Sequence, residues 1–137
     1  YFSHLSKVCF EQIEIEGINF QQIRTYNGSV AIDGKSVYVR ATKVHGADPF
    51  SFHYVGYRYY KDRHHVYLRE GERITVLNHL DAKTFKLHGA YYISDKSAVY
   101  WNGFRVLAAD PKTFRNTSLH RAQDSKFTYY KGVTTDR

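Results

Sequence analysis

The chain has one cysteine, Cys9, two prolines and no methionine in 137 residues. A single thiol excludes an internal disulfide and any Cys-x-x-Cys metal or redox motif, and it fits any compartment. No apolar run approaches the roughly 18 residues of a membrane-spanning helix. No charged start followed by an apolar stretch marks a secretory signal. Because the sequence opens on Tyr1 rather than Met, we expect an upstream signal, anchor or tag to have been removed. Helix-favouring apolar residues are scarce too, with 7 Leu against 11 Val, 7 Ile and 23 aromatics, 13 of them Tyr. Branched and aromatic side chains suit a pleated, half-buried surface, so the composition favours β-structure.

What is present points to a folded chain. An apolar share of 42% with 24% charged residues is globular rather than disordered composition. The length suits one domain or a short array of small repeats. Lys and Arg exceed Asp and Glu by 7, with a pI near 9.5, which attracts an anionic partner over long range.

The dominant feature is repetition. Asp33-Gly-Lys-Ser-Val37-Tyr38 recurs as Asp62-Arg-His-His-Val66-Tyr67, Asp95-Lys-Ser-Ala-Val99-Tyr100 and Asp124-Ser-Lys-Phe-Thr128-Tyr129. The step from Asp33 to Asp62 equals that from Asp95 to Asp124, and the step between them is four positions longer. A second signature follows each of the first three: Asp48-Pro-Phe-Ser-Phe52, Asp81-Ala-Lys-Thr-Phe85 and Asp110-Pro-Lys-Thr-Phe114. It too arrives four positions late in the middle unit, which thus carries its extra residues within Arg69 to Thr75 or close by. Upstream, Glu16-Gly-Ile-Asn-Phe20 has the spacing of a decayed leading unit.

Each unit reads as a β-hairpin and a helical turn. Asn102-Gly103 between β-prone runs is a strong hairpin signal. Glu70-Gly71 has the same role in the enlarged unit, while the first has no Gly there. In Asp48-Pro49 and Asp110-Pro111 the Asp can cap and Pro can open a helical turn. Strand alternation puts Val37 and Val39, Val66 and Leu68, and Val99 and Trp101 on one face, the expected core, and Tyr38, Tyr67, Tyr100 and Tyr129 on the other. The expected fold is all-β: antiparallel β-hairpin repeats of about 29–33 residues with short helical turns at the Asp-x-x-x-Phe steps. We read residues 1–137 as a single domain, with a divergent capping segment over 1–25, repeats over 26–57, 58–90 and 91–120, and a partial repeat over 121–137.

The recurring Asp-Lys-x-x-Val-Tyr motif, the Gly turn and Ala109-Asp110-Pro111-Lys-Thr113-Phe114 resemble the DKNYYY family of bacterial proteins. Residues 26 to 131 carry the resemblance, and the segment before them does not. It implies a bacterial protein, often behind an export or lipoprotein signal, hence a periplasmic or cell-envelope location, with the cytoplasm left open. The family brings no established catalytic residues, and the repeated Asp, Val, Tyr and Phe look architectural.

Motifs for chemistry are weak. Gly34-Lys35-Ser36 follows Gly28 with one intervening position more than a phosphate loop has. Among eight histidines, His64 and His65 are adjacent and would point to opposite faces of a strand, and no His-x-x-x-His platform exists. There is no Gly-x-Ser-x-Gly elbow, Cys9 has only His4 nearby, and Glu14 with Glu16 is an ordinary exposed pair. We therefore expect no enzyme activity, no catalytic residues, no cofactor and no metal. The run from Tyr57 to His65 mixes bases and aromatics as nucleic-acid binders do, but no other such signature supports it.

Tyr and Arg are enriched in protein interface hot spots. We expect a protein partner with an acidic surface, contacted by Tyr57, Tyr59, Arg63, His64, Tyr67, Arg69 and Arg73, although strand alternation divides them between two faces. The expected function is a non-enzymatic binding domain of the bacterial envelope, most concretely an immunity protein that occludes an interbacterial toxin. The alternatives are a structural or adhesive repeat module of an envelope lipoprotein and a basic nucleic-acid-binding module. A membrane would be met only through a removed N-terminal anchor.

Overall fold

The computed structural model describes residues 2–4, 7–18 and 21–135. Phe20, which ends the expected leading unit, the side chain of His4 and the terminal Asp136-Arg137 lie outside the described residues. The described chain is all-β, with five small sheets of sequential antiparallel strands. They fall in two compact units, residues 1–78 and 79–137.

In the first unit, sheet 1 joins β1 (Phe2–His4), β2 (Lys7–Phe10) and β3 (Ile13–Glu14). Sheet 2 joins β4 (Arg24–Tyr26), β5 (Val30–Ile32), β6 (Val37–Val39) and β7 (Thr42–Val44). Sheet 3 joins β8 (His53–Gly56), β9 (Tyr59–Lys61), β10 (Val66–Glu70) and β11 (Arg73–Val76). In the second unit, sheet 4 joins β12 (Lys86–His88), β13 (Tyr92–Ser94), β14 (Val99–Trp101) and β15 (Phe104–Arg105). Sheet 5 joins β16 (Arg115–Asn116), β17 (Arg121–Gln123), β18 (Thr128–Tyr130) and β19 (Val133–Thr135).

The structural repeat is therefore a four-stranded meander preceded by its Asp-x-x-x-Phe linker. Within the segment expected as a partial repeat, residues 121–135 supply β17, β18 and β19, three of the four strands of sheet 5. The linker turns close without becoming helices: Phe52 N–H donates to Asp48 O at 3.0 Å and Thr113 N–H to Asp110 O at 3.3 Å, and a strand follows at once. The second hairpin of each four-stranded sheet turns at Arg40-Ala41, Gly71-Glu72, Asn102-Gly103 or Lys131-Gly132, so the enlarged repeat turns one position later than the expected Glu70-Gly71, and Glu70 ends its strand paired with Arg73. Arg40 fills its turn at φ 57°, so the first repeat manages without glycine.

The alternation of Val and Tyr holds, but both faces are core. Val30, Val37, Val39 and Val44 of sheet 2 pack with Phe52 of the next linker and with Tyr60 and Tyr67 of sheet 3. On the other face of sheet 2, Ala31 and Tyr38 pack with Val8, Phe10 and Ile15. The second unit repeats the scheme: Tyr92, Val99 and Val106 of sheet 4 meet Phe114, Ala122 and Tyr129. Stacked meanders bury valines against the tyrosines of the following sheet. The expectation of a core on the valine side only is corrected: Tyr38, Tyr67 and Tyr129 are each 1% exposed, and Tyr100, half-buried, sets its ring edge-on to His79 at 5.2 Å.

A carboxylate clasp ties each linker to the sheet it precedes. Asp62 is 1% exposed, and burying its charge requires hydrogen-bond partners. Its Oδ1 accepts from the N–H groups of His64 and His65 at 2.8 Å, and its Oδ2 from Tyr67 Oη at 2.8 Å and Asp48 N–H at 2.9 Å. Asp124 accepts likewise from Lys126, Phe127, Tyr129 and Asp110, and Asp95 from Ser97, Ala98 and Asp81. A return arm closes the loop: Thr84 Oγ1 donates to Asp81 Oδ2 at 2.6 Å and accepts from Lys96 N–H at 2.9 Å. Ser51 and Thr113 take that place in the neighbouring repeats.

For Asp124, burial works to raise the pKa, but the amides of Asp110, Phe127 and Lys126 with the Tyr129 hydroxyl overcome it and hold the group at about 2. A carboxylate lowered from 3.8 in this way contributes stability that is full above pH 3.8 and is lost as pH falls toward about 2. Acid titration of urea stability should show that loss, and Asp124→Asn should flatten it. Asp62→Asn presents an amide N–H₂ to groups that donate, so it should cost about 2–4 kcal/mol at neutral pH. Tyr67→Phe, which removes one donor, should cost about 1–2 kcal/mol in the same assay.

Candidate functional site

The seven expected contact residues divide sharply. Tyr59 is 6% and Tyr67 1% exposed, so both leave the surface: Tyr59 is held by its strand and Tyr67 by Asp62. Arg63 is exposed, but its Nε donates to Asp48 Oδ2 at 2.7 Å. With Ser51 and the Phe50 amide also donating, the Arg63 guanidinium holds Asp48 well below the usual carboxylate range. Arg69 is half-buried and donates to its own turn at Gly71 O, 3.1 Å away. Tyr57, His64 and Arg73 remain exposed, Tyr57 at a turn with φ 52°.

The four extra residues are visible in the hairpin that carries Arg69 and Arg73. β10 and β11 have five and four residues where β14 and β15 have three and two. Equal additions to the two strands keep the pairing register and hence the face each side chain takes. The lengthened tip is braced: Arg40 donates through Nε to Glu72 Oε1 and through Nη2 to Glu11 Oε2, both at 3.2 Å. Thr42 Oγ1 donates to Glu72 O, and the Arg40 guanidinium lies over the Phe10 ring.

No group of three or more His, Cys, Asp or Glu among the described residues is arranged to hold a metal. Cys9 is half-buried on β2, opposite Glu14, which pairs with Lys7 at 3.0 Å. His88, lowered by burial and by the charge of Lys86, shares a hydrogen bond with Ser94 Oγ.

Two grooves open at equivalent places, beside the Asp loop and between successive linkers. The first, of about 770 Å³, is lined by Gln22, Arg24, Tyr26, Lys35 and Phe50 among others. The second, of about 320 Å³, is lined by Lys83, Lys86, Lys96 and Lys112 with Asp95 and Pro111. These lysines were not singled out from the sequence. The available signal was the shared third position of Asp-Ala-Lys83-Thr-Phe and Asp-Pro-Lys112-Thr-Phe.

The repeated clasp, the Gly turns and the Asp-x-x-x-Phe linkers are now in view, and the model of the DKNYY family matches residues 1–133. The chain belongs to the DKNYY family. The match takes in the N-terminal segment before Tyr26, where the motif itself is not legible and where sheet 1 contributes Val8, Phe10 and Ile15 to a core shared with sheet 2. No curated protein and no solved structure matches this DKNYY chain.

Deleting Arg69, Glu70, Arg73 and Ile74 together restores the shorter hairpin of the other DKNYY repeats. That variant should fold, at a cost of about 1–2 kcal/mol for the brace and part of Ile74. Deleting Arg69 alone shifts the register and should cost more, as chemical denaturation of both variants will show.

Proposed function

We propose that this DKNYY chain is a non-enzymatic binding domain of the bacterial envelope, acting as an immunity protein that occludes a toxin delivered by a rival cell. The observation that carries this reading is the fate of the buried acids. Asp62, Asp95 and Asp124 spend their oxygens on amides, and two of them also on a tyrosine hydroxyl, in the same way each time. Groups used identically in successive repeats are scaffold, so function rests on the exposed positions that differ between repeats. Tyr57, His64 and Arg73 are such positions, on the sheet with the lengthened hairpin.

Inhibition would be steric. A chain of net charge +7 is steered toward an acidic surface and away from a basic nuclease. That favours a toxin directed at the cell wall, lipid or membrane. The second reading is a structural or adhesive envelope module, favoured by the lysine-lined groove.

Affinity purification from the producing bacterium, with the chain as bait at physiological and at high salt, tests the two. One toxin-like protein retained under both conditions is the expected result, and recovery of wall polymer alone sides with the structural module. Arg73→Glu should then slow association several-fold while leaving stability within about 0.5 kcal/mol. An unchanged on-rate in surface plasmon resonance removes the hairpin from the contact surface.

A further inference from the structure

We propose that the groove of the second unit lined by Lys83, Lys86, Lys96 and Lys112 binds the phosphates of a phosphodiester-linked polymer. Successive linkers supply Lys83 and Lys112 at the same motif position, the Asp loop supplies Lys96, and Lys86 opens β12. All four are exposed, and none forms an ion pair among the described residues.

The acids nearby are committed elsewhere. Asp95 gives Oδ1 to the amides of Ser97 and Ala98 and Oδ2 to that of Asp81. Asp81 takes the Thr84 hydroxyl, and Lys96 acts on it only through space. The preceding repeat differs at the decisive point, because Arg63, in the place of Lys96, is locked onto Asp48 at 2.7 Å.

The residue types fit a polyanion. An Arg fork takes carboxylate and phosphate alike, whereas Lys offers compact point charges free to gather around the tetrahedral phosphate oxygens. A space of about 320 Å³ has room for a phosphate and part of the polyol attached to it. Lysines contributed by two successive linkers favour a chain of phosphates over a single ion. This site does not depend on the toxin reading, and neutralising it should leave capture of a protein partner unchanged.

The test is calorimetric titration with a glycerol-phosphate oligomer and, in parallel, with poly-glutamate of equal charge. Replacing Lys83, Lys86, Lys96 and Lys112 by Gln should weaken oligomer binding at least about 10-fold. Replacing Lys43, Arg58, Arg105 and Lys126 by Gln, all exposed and outside the groove, removes the same net charge and should weaken it less than about 3-fold. Equal losses in the two variants would reduce the site to net-charge attraction and overturn the proposal, as would poly-glutamate binding as tightly as the oligomer. Unchanged circular dichroism and thermal midpoints confirm that both variants are folded, and amide NMR shifts at Lys83, Lys96 and Lys112 locate the oligomer.

Discussion

A carboxylate taken out of water must find donors or lose its charge, and in this fold the donors it finds hold the repeat together. Asp62 and Asp124 each gather two amides from their own loop, one tyrosine hydroxyl from the same sheet and one amide from the linker before that sheet. One side chain thereby closes a tight loop, fixes a core tyrosine and anchors the chain arriving from the preceding meander. The Ser or Thr of the linker answers with its own hydroxyl, so linker and loop are joined at two points.

The packing follows from that anchorage. With the linker held, its Phe is placed between consecutive sheets, as Phe52 and Phe114 are in their clusters. Valines of one sheet then meet tyrosines of the next, and each tyrosine hydroxyl that reaches the Asp is satisfied within the core. The clasped partners are 14 residues apart in all three repeats, while the interval between motif aspartates lengthens from Asp62 to Asp95. Growth is confined to the hairpin on the far side of the sheet, and it is equal on the two strands, because an unequal addition would slip the register and reverse the faces.

Much of this was legible in the sequence. The four Asp motifs, the Val and Tyr alternation, the Asn102-Gly103 turn and the site of the four-residue expansion all carried through to the structure. The clasp was not, because each linker Asp stands at a varying interval from the motif before it, whereas its bonding partner is the motif after it, at a constant interval. Alternation also tells which side chains share a face without telling what covers the face. Hence Tyr59 and Tyr67 looked available for a partner although both are buried. The lysine groove joins residues from two linkers and one loop, a proximity that appears only once the meanders are folded. Arg63 and Arg69, by contrast, looked free in the sequence and proved to be held by Asp48 and by Gly71.

The clasp makes an unusual demand on three backbone amides. Asp48, Asp81 and Asp110 stand in linkers outside any strand, yet each N–H is given to a buried carboxylate at 2.8–2.9 Å. Native-state hydrogen exchange reads this directly. With the clasp in place, these three amides exchange as slowly as the central strand amides of their own sheets. Exchange at the intrinsic rate of an unprotected amide would contradict it.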